Sequence, residues 1–262
     1  MTPRFVAASL LALVVVVAGC GSARTTTLAA KGPDRLQPLA TRCGEQVKEK
    51  VKTGWFRAAD GSPLDGAALG SGKAGVVLAH QYPNSLCGWV PYARVLSRAG
   101  FRVLLIDHRG FGSSPSPAGQ AKQGDYASDL VGAADELKRE GASKVFLMGA
   151  SFGGITSMVA GSELGSRIAG VVSVSGETSL GTSNLDALSA VPKLRAPFLI
   201  VGSREDDLLP VPDARKLLQR AGSKHKRLVL FPSSYHGWDI LMQAPYRAQA
   251  SADVIEFLKR YA

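Results

Sequence analysis

The chain has 262 residues, of which 45% are hydrophobic and 20% charged, and it carries a formal net charge of +10 at neutral pH. That length suffices for one large domain or two small ones around a substantial core, and the composition excludes a disordered or low-complexity protein. The basic residues are scattered, without dense clusters or aromatic interleaving, which argues against nucleic-acid binding and for a solvated basic surface.

In chain order, the first feature is Arg4 followed by FVAASLLALVVVVAG, ending at Cys20. This apolar stretch is short for a bilayer span and has the layout of a secretory signal. Val17-Ala18-Gly19-Cys20 resembles a bacterial lipobox. The resemblance implies cleavage before Cys20, lipidation of that cysteine and anchoring of an exported protein to the cell membrane. A diacylglyceryl group plus an amide-linked chain holds more firmly than a single acyl chain. An ordinary signal peptide, or an uncleaved anchor with an incidental cysteine, is the alternative. Loss of residues 1–19 removes one Arg and no acid, so the tethered chain stays basic and suited to anionic headgroups or a polyanionic envelope.

Residues 21–42 contain Thr, Ala and Pro without an apolar period and read as a flexible tether. The chain thus divides into a signal peptide (1–19), a lipidated tether (20–50) and a folded domain (51–262). Export leaves Cys43 and Cys87 where disulfides persist, and a bridge between them would pin the arm to the domain; two free thiols are the alternative. No CxxC motif or Cys/His cluster suggests a metal, and no cofactor is expected.

From Val51 the pattern sharpens. WFRAADGSPLDGAALG predicts a hairpin turning at Asp60-Gly61. Strands are then predicted at 75–80, 102–107, 144–149, 168–175, 198–202 and 227–231, all apolar without polar alternation, as in strands covered on both faces. Helices are predicted near 89–99, 125–140, 152–164, 212–221 and 244–260, the last with Val254, Phe257, Leu258 and Tyr261 at helical spacing. The alternation implies an α/β fold: a mostly parallel sheet of about eight strands with helices on both faces, and no second domain.

Ligands of a parallel sheet collect at the carboxyl ends of its strands, where the polar motifs fall. Gly149-Ala150-Ser151-Phe152-Gly153 matches G-x-S-x-G between a strand and a helix. Small neighbours let a strained turn present Ser151, and the helix aims its first N–H groups at developing negative charge. A serine hydroxyl needs a base, and His236, in Tyr235-His236-Gly237-Trp238, follows the final strand. His225 lies in a basic run facing solvent, while His80 and His108 belong to other strand-end motifs. Glu205-Asp206-Asp207 follows the strand FLIVG. One of these carboxylates would fix the imidazole tautomer; the others would begin the next helix, where negative charge is favoured.

The order Ser151, acid, His236 resembles the α/β-hydrolase superfamily over residues 51–262. Asp107-His108-Arg109-Gly110-Phe111-Gly112-Ser113-Ser114 is similar to that family's D-x-R-G-x-G-x-S loop, which implies bracing roles for Arg109 and His108. The resemblance favours Asp206, four residues before Pro210, as triad acid, with Asp207 as the alternative and Glu205 third. His80-Gln81-Tyr82-Pro83 stands where the family has H-G-x-x, with Gln81 replacing Gly. It implies a loop-bracing role for His80 and an oxyanion hole from the backbone N–H groups of Tyr82 and Phe152. Ser175 and Phe198 are too close in sequence for a large cap domain, so an open pocket is expected.

The implied activity is hydrolysis of a small ester or acyl substrate through an acyl-serine intermediate. A prolyl-oligopeptidase-like peptidase or a thioesterase would use the same residues. A non-catalytic envelope lipoprotein using the fold for binding is the reading from another class.

Overall fold

The computed structural model describes residue 32 and residues 35–44, 51–119, 124–181 and 185–262. The apolar leader, the lipobox and Cys20 lie outside the described residues.

Eight strands form one sheet: β1 (Lys52–Arg57), β2 (Pro63–Leu69), β3 (Ala74–Ala79), β4 (Arg102–Ile106), β5 (Lys144–Ala150), β6 (Gly170–Val174), β7 (Phe198–Ser203) and β8 (Lys226–Phe231). Their spatial order is β1-β2-β4-β3-β5-β6-β7-β8. The hairpin β1–β2 turns at Asp60-Gly61, with Gly61 at φ 85°, and both its pairings, β1 with β2 and β2 with β4, are antiparallel. From β4 to β8 every neighbouring pair is parallel.

The strands lack polar alternation because both faces are covered. Val77, Leu104, Leu147, Val171 and Ile200 point to one side, where they pack with residues of α3 (Tyr126–Arg139), α4 (Phe152–Leu164), α5 (Ala187–Ala190) and α6 (Val211–Arg220). Val76, Val103, Phe146, Val172 and Leu199 point to the other, against α2 (Val90–Arg98), α7 (Asp239–Met242) and α8 (Arg247–Tyr261). Each fully buried side chain of this kind stabilises the fold by about 1.5–3 kcal/mol relative to leaving it in water. The single helix predicted near 244–260 is in fact preceded by α7, so the chain crosses α2 before it closes on the sheet through Val254, Phe257 and Leu258.

Among the described residues, the β6–β7 connection carries the four-residue α5, an isolated bridge between Ser179 and Asp186, and a short 3-10 turn at Val191–Lys193. A connection of this length has no room for a cap domain.

The end of the expected tether departs from the reading as a loose arm. Residues 35–44 include a short helix, α1 (Leu39–Cys43), whose Leu39 is 4% exposed. A disulfide joins Cys43 to Cys87 with Cα atoms 5.2 Å apart. Arg42 forms an ion pair with buried Asp65 and donates to Ser113 Oγ at 3.2 Å. Composition alone does not reveal this order, because the disulfide and the Arg42 contacts to Asp65 and Ser113 lie distant in sequence.

Asp65 lies beside a second buried carboxylate, Asp107, which accepts the N–H groups of Leu86 at 2.7 Å and Ser113 at 2.9 Å. Burial pushes the Asp65 carboxyl up, the Arg42 charge and hydrogen bond oppose this, and Asp107 adds to it, leaving a value of about 7.

Candidate active site

β5 ends at Ala150 and α4 begins at Phe152, so Ser151 alone makes the turn, with φ 50° and ψ −119°. Such a conformation costs a residue with a Cβ roughly 1–3 kcal/mol and persists only where its surroundings enforce it. Here the Ser151 N–H donates to the Val174 carbonyl at 2.8 Å, and the Ser151 carbonyl accepts from Gly154 and Ile155 at 2.7 and 3.0 Å. The flanking glycines permit the close approach. A Cβ on Gly149 would stand 2.0 Å from the Gly153 carbonyl oxygen, and one on Gly153 would stand 2.1 Å from that of Ala79. The start of α4 therefore abuts the end of β3, whose following loop carries Gln81 and Tyr82.

The loop after β7 supplies the acid. Asp206 is buried, while Glu205 and Asp207 are exposed. Both Asp206 oxygens face His236 Nδ1, at 3.0 Å for Oδ1 and 2.9 Å for Oδ2, and Oδ1 also accepts the N–H groups of Leu208 and Leu209. Burial pushes the Asp206 carboxyl up, but the His236 hydrogen bond and charge, with the backbone donor, bring it below the ordinary range. Burial likewise pushes the His236 imidazole down, and the Asp206 hydrogen bond and charge, aided by Glu177 and Asp239, raise it above its ordinary value. A carboxylate on Nδ1 keeps that nitrogen protonated, leaving Nε2 as the basic lone pair.

A fourth side chain joins these three. Glu177, just past β6, has Oε1 3.1 Å from Ser151 Oγ, which donates to it, and 3.8 Å from His236 Nε2. Nε2 and Glu177 Oε2 are both buried without a hydrogen-bond partner among the described residues. Burial pushes the Glu177 carboxyl up, an effect only partly offset by its own backbone N–H, the His236 charge and the Ser151 hydroxyl. In the sequence, the segment after Ser175 bears on cap size and contains no motif that singles out Glu177. Its one signal is an acid three residues past the end of β6, at the same carboxyl ends of strands as Ser151 and Asp206.

The His80-Gln81-Tyr82-Pro83 loop is braced from both sides. His80 Nε2 accepts the His108 N–H at 3.2 Å, so its proton sits on Nδ1, which faces the Gln81 carbonyl at 3.0 Å. Burial, with the neighbouring His108, depresses the His80 value to about 3, and the ring stays neutral. The Gln81 side chain reaches across the site: Oε1 accepts the Trp238 N–H at 3.2 Å. A Cβ on Gly237 would fall 2.1 Å from that oxygen. Tyr82 is 65% exposed with its ring edge-on to Phe111, while Phe152 is buried among His108, Phe111 and Tyr126. Arg109 is buried, its Nε donating to Asp129 at 2.7 Å and its terminal nitrogens to Asp60 in the β1–β2 turn, and His108 Nδ1 faces the same Asp129 at 3.1 Å.

A family model described as alpha/beta hydrolase fold matches residues 76–193. The esterase Pf2001 of Pyrococcus furiosus superposes with a TM-score of 0.70 at 21% identity, over 83% of this chain and 95% of that one. The chain has the α/β-hydrolase fold.

The monoacylglycerol lipase of Paleococcus ferrophilus has the same fold, with a TM-score of 0.64 at 20% identity over 76% of this chain and 99% of the lipase. Among curated sequences, epoxide hydrolase 3 of Siraitia grosvenorii is 38% identical over 91 residues, 34% of this chain and 28% of that protein. Bifunctional epoxide hydrolase 2 of Rattus norvegicus is 35% identical over 94 residues, 36% of this chain and 16% of that protein. The chain therefore spans only 28% and 16% of the lengths of these two relatives.

Proposed function

We propose that this α/β-hydrolase cleaves carboxylic esters through an acyl-serine intermediate. Ser151 is the nucleophile, His236 the general base and Asp206 the carboxylate that orients it. The observation carrying this reading is His236 itself. Its Nδ1 is held by both oxygens of Asp206, and its free Nε2 opens onto the carboxyl group that Ser151 Oγ touches. Loss of the Glu177 contact lets Oγ turn toward Nε2, which then takes its proton as the acyl carbon is attacked. The backbone N–H groups of Tyr82 and Phe152 stabilise the resulting oxyanion, at roughly 3–4 kcal/mol for each well-placed donor.

The chemistry of the nucleophile favours esters over the epoxides named in the curated relatives. A serine alkoxide opening an epoxide forms an ether, which water does not cleave, so the enzyme would stop after one turnover. Attack on an ester gives an acyl-serine that a second attack, by water, releases. The short β6–β7 connection, with its single-turn α5, supports small, varied acyl groups rather than a capped chamber.

A fluorophosphonate probe tests the reading directly: wild-type protein is labelled at Ser151, and Ser151→Ala is neither labelled nor active on p-nitrophenyl acetate. Failure of correctly folded wild type to react sinks it. We further propose export and lipid anchoring at Cys20. The Cys43–Cys87 disulfide supports an oxidising compartment. Incorporation of labelled palmitate that survives Cys20→Ser would overturn the anchor.

A further inference from the structure

Glu177 is not needed for the triad, since Asp206 already holds Nδ1 of His236. It nevertheless stands where the proton must travel, with one oxygen 3.1 Å from Ser151 Oγ and 3.8 Å from His236 Nε2. Its environment is not that of a surface acid: the side chain is only 20% exposed and Oε2 has no partner among the described residues. Taking a carboxyl group out of water is costly unless it keeps a hydrogen-bond donor, which here is the Ser151 hydroxyl.

The serine can be that donor only before acylation. Once Oγ is esterified it has no hydrogen, and Glu177 Oε1 loses its partner. Two acceptors then face the same small space, Nε2 of the imidazole and Oε1 of Glu177. Acceptors that share one water through both its O–H bonds stand roughly 4.4 Å apart at ordinary hydrogen-bond lengths. The 3.8 Å between Nε2 and Oε1 is short of that span by about half an ångström, close enough for one water to reach both.

We propose that Glu177 is the positioning residue for the deacylating water, seating it between itself and His236 and thereby favouring water over alcohols as the acyl acceptor. This rests on the acyl-serine reading above. In the step, the water oxygen forms a bond to the acyl carbon while one of its protons passes to Nε2. The other O–H stays intact and donates to Glu177 Oε1. The tetrahedral intermediate collapses with rupture of the carbon–Oγ bond, and the proton on Nε2 moves to Oγ. The carboxylic acid leaves with the retained hydroxyl, and Ser151 resumes its hydrogen bond to Glu177. An alcohol has one O–H, which Nε2 consumes, so its approach leaves Oε1 unsatisfied and sets an alkyl group against a buried carboxyl. Selection therefore comes from an acceptor that only water can satisfy.

The test separates acylation from deacylation on the full folded domain. With p-nitrophenyl acetate, the initial burst of nitrophenol reports acylation, the following steady rate reports deacylation, and the methyl acetate to acetate ratio in dilute methanol reports acceptor choice. Glu177→Ala is expected to keep its burst rate within about threefold of wild type while the steady rate falls about tenfold or more. Its methanol partition should rise in parallel, and intact-protein mass spectrometry should show accumulated acetyl-enzyme. Glu177→Gln, which keeps a carbonyl acceptor, should stay within about threefold of wild type in all three readouts. Equal losses of burst and steady rate with an unchanged partition ratio overturn the proposal, as does a Gln variant as slow to deacylate as Ala. If wild type never acylates, the serine-hydrolase reading fails and this inference falls with it; acylation with unaltered partitioning sinks this inference alone.

Discussion

The amide oxygen of Gln81 accepts the backbone N–H of Trp238 at 3.2 Å, joining the loop after β3 to the loop after β8 across the mouth of the site. One loop carries the Tyr82 N–H and the other carries His236. Gln81 thus supplies a strut where the superfamily motif has glycine, and Gly237 leaves space for it.

That strut predicts non-additive substitutions. Gln81→Ala removes the hydrogen bond, a loss of about 1 kcal/mol in folding stability and a similar loss in transition-state stabilisation. Gly237→Ala displaces the same amide, and it also places a side chain at φ 58°, which adds about 1–2 kcal/mol. The double variant should cost less than the sum of the two, as read by a double-mutant cycle on kcat/KM and on denaturant midpoints. Strict additivity would separate the two residues.

The two neighbouring acids should behave differently. Asp206→Asn leaves the imidazole in the wrong tautomer and lowers kcat by about 10³–10⁴-fold, whereas exposed Asp207→Asn stays within about twofold. A large effect at Asp207 would reassign the acid.

The pH profile follows from the imidazole. As the proposed general base, His236 must be neutral to accept the Ser151 proton, and its value lies above the ordinary 6.5. Activity should therefore be lost on acidification earlier than an unperturbed imidazole would allow, with the acid limb of kcat/KM centred above 6.5. The limb should move to lower pH in Asp206→Asn, whose residual activity is measurable with an activated ester.

Stability should show the opposite drift. The folded Asp65 value of about 7 exceeds its ordinary 3.8, so the folded state holds this proton more tightly. Its contribution is complete below pH 3.8 and is lost as the pH rises through about 7. Melting temperatures should fall over that window, and the Asp65→Asn variant should fall less. An unchanged slope would remove Asp65 as its source.

Much of this site was readable in linear form because its motifs report backbone demands. The glycines around Ser151 mark a turn that rejects side chains, and strands without polar alternation mark a sheet covered on both faces. Asp206, rather than Glu205 or Asp207, meets His236 because the β7 loop tucks one acid inward and turns its neighbours outward. That choice depends on local backbone direction, which three consecutive acids do not reveal. Glu177 escaped notice because its partners lie 26 and 59 residues away and no short motif contains it. The fixed arm is hidden for the same reason: the Arg42 partners Asp65 and Ser113 lie 23 and 71 residues away.

The Cys43–Cys87 bridge also makes the two edges of the sheet mechanically unequal. β1 and β2 lie inside the covalent loop it closes, so they cannot peel away as a free end. Among the described residues no such loop encloses β8, whose first residues are exposed and whose one strand neighbour there is β7. Loosening of the molecule should start at β8 and carry His236 out of register with Ser151 while the opposite edge is still intact. Catalytic competence would then disappear before the bulk of the secondary structure does.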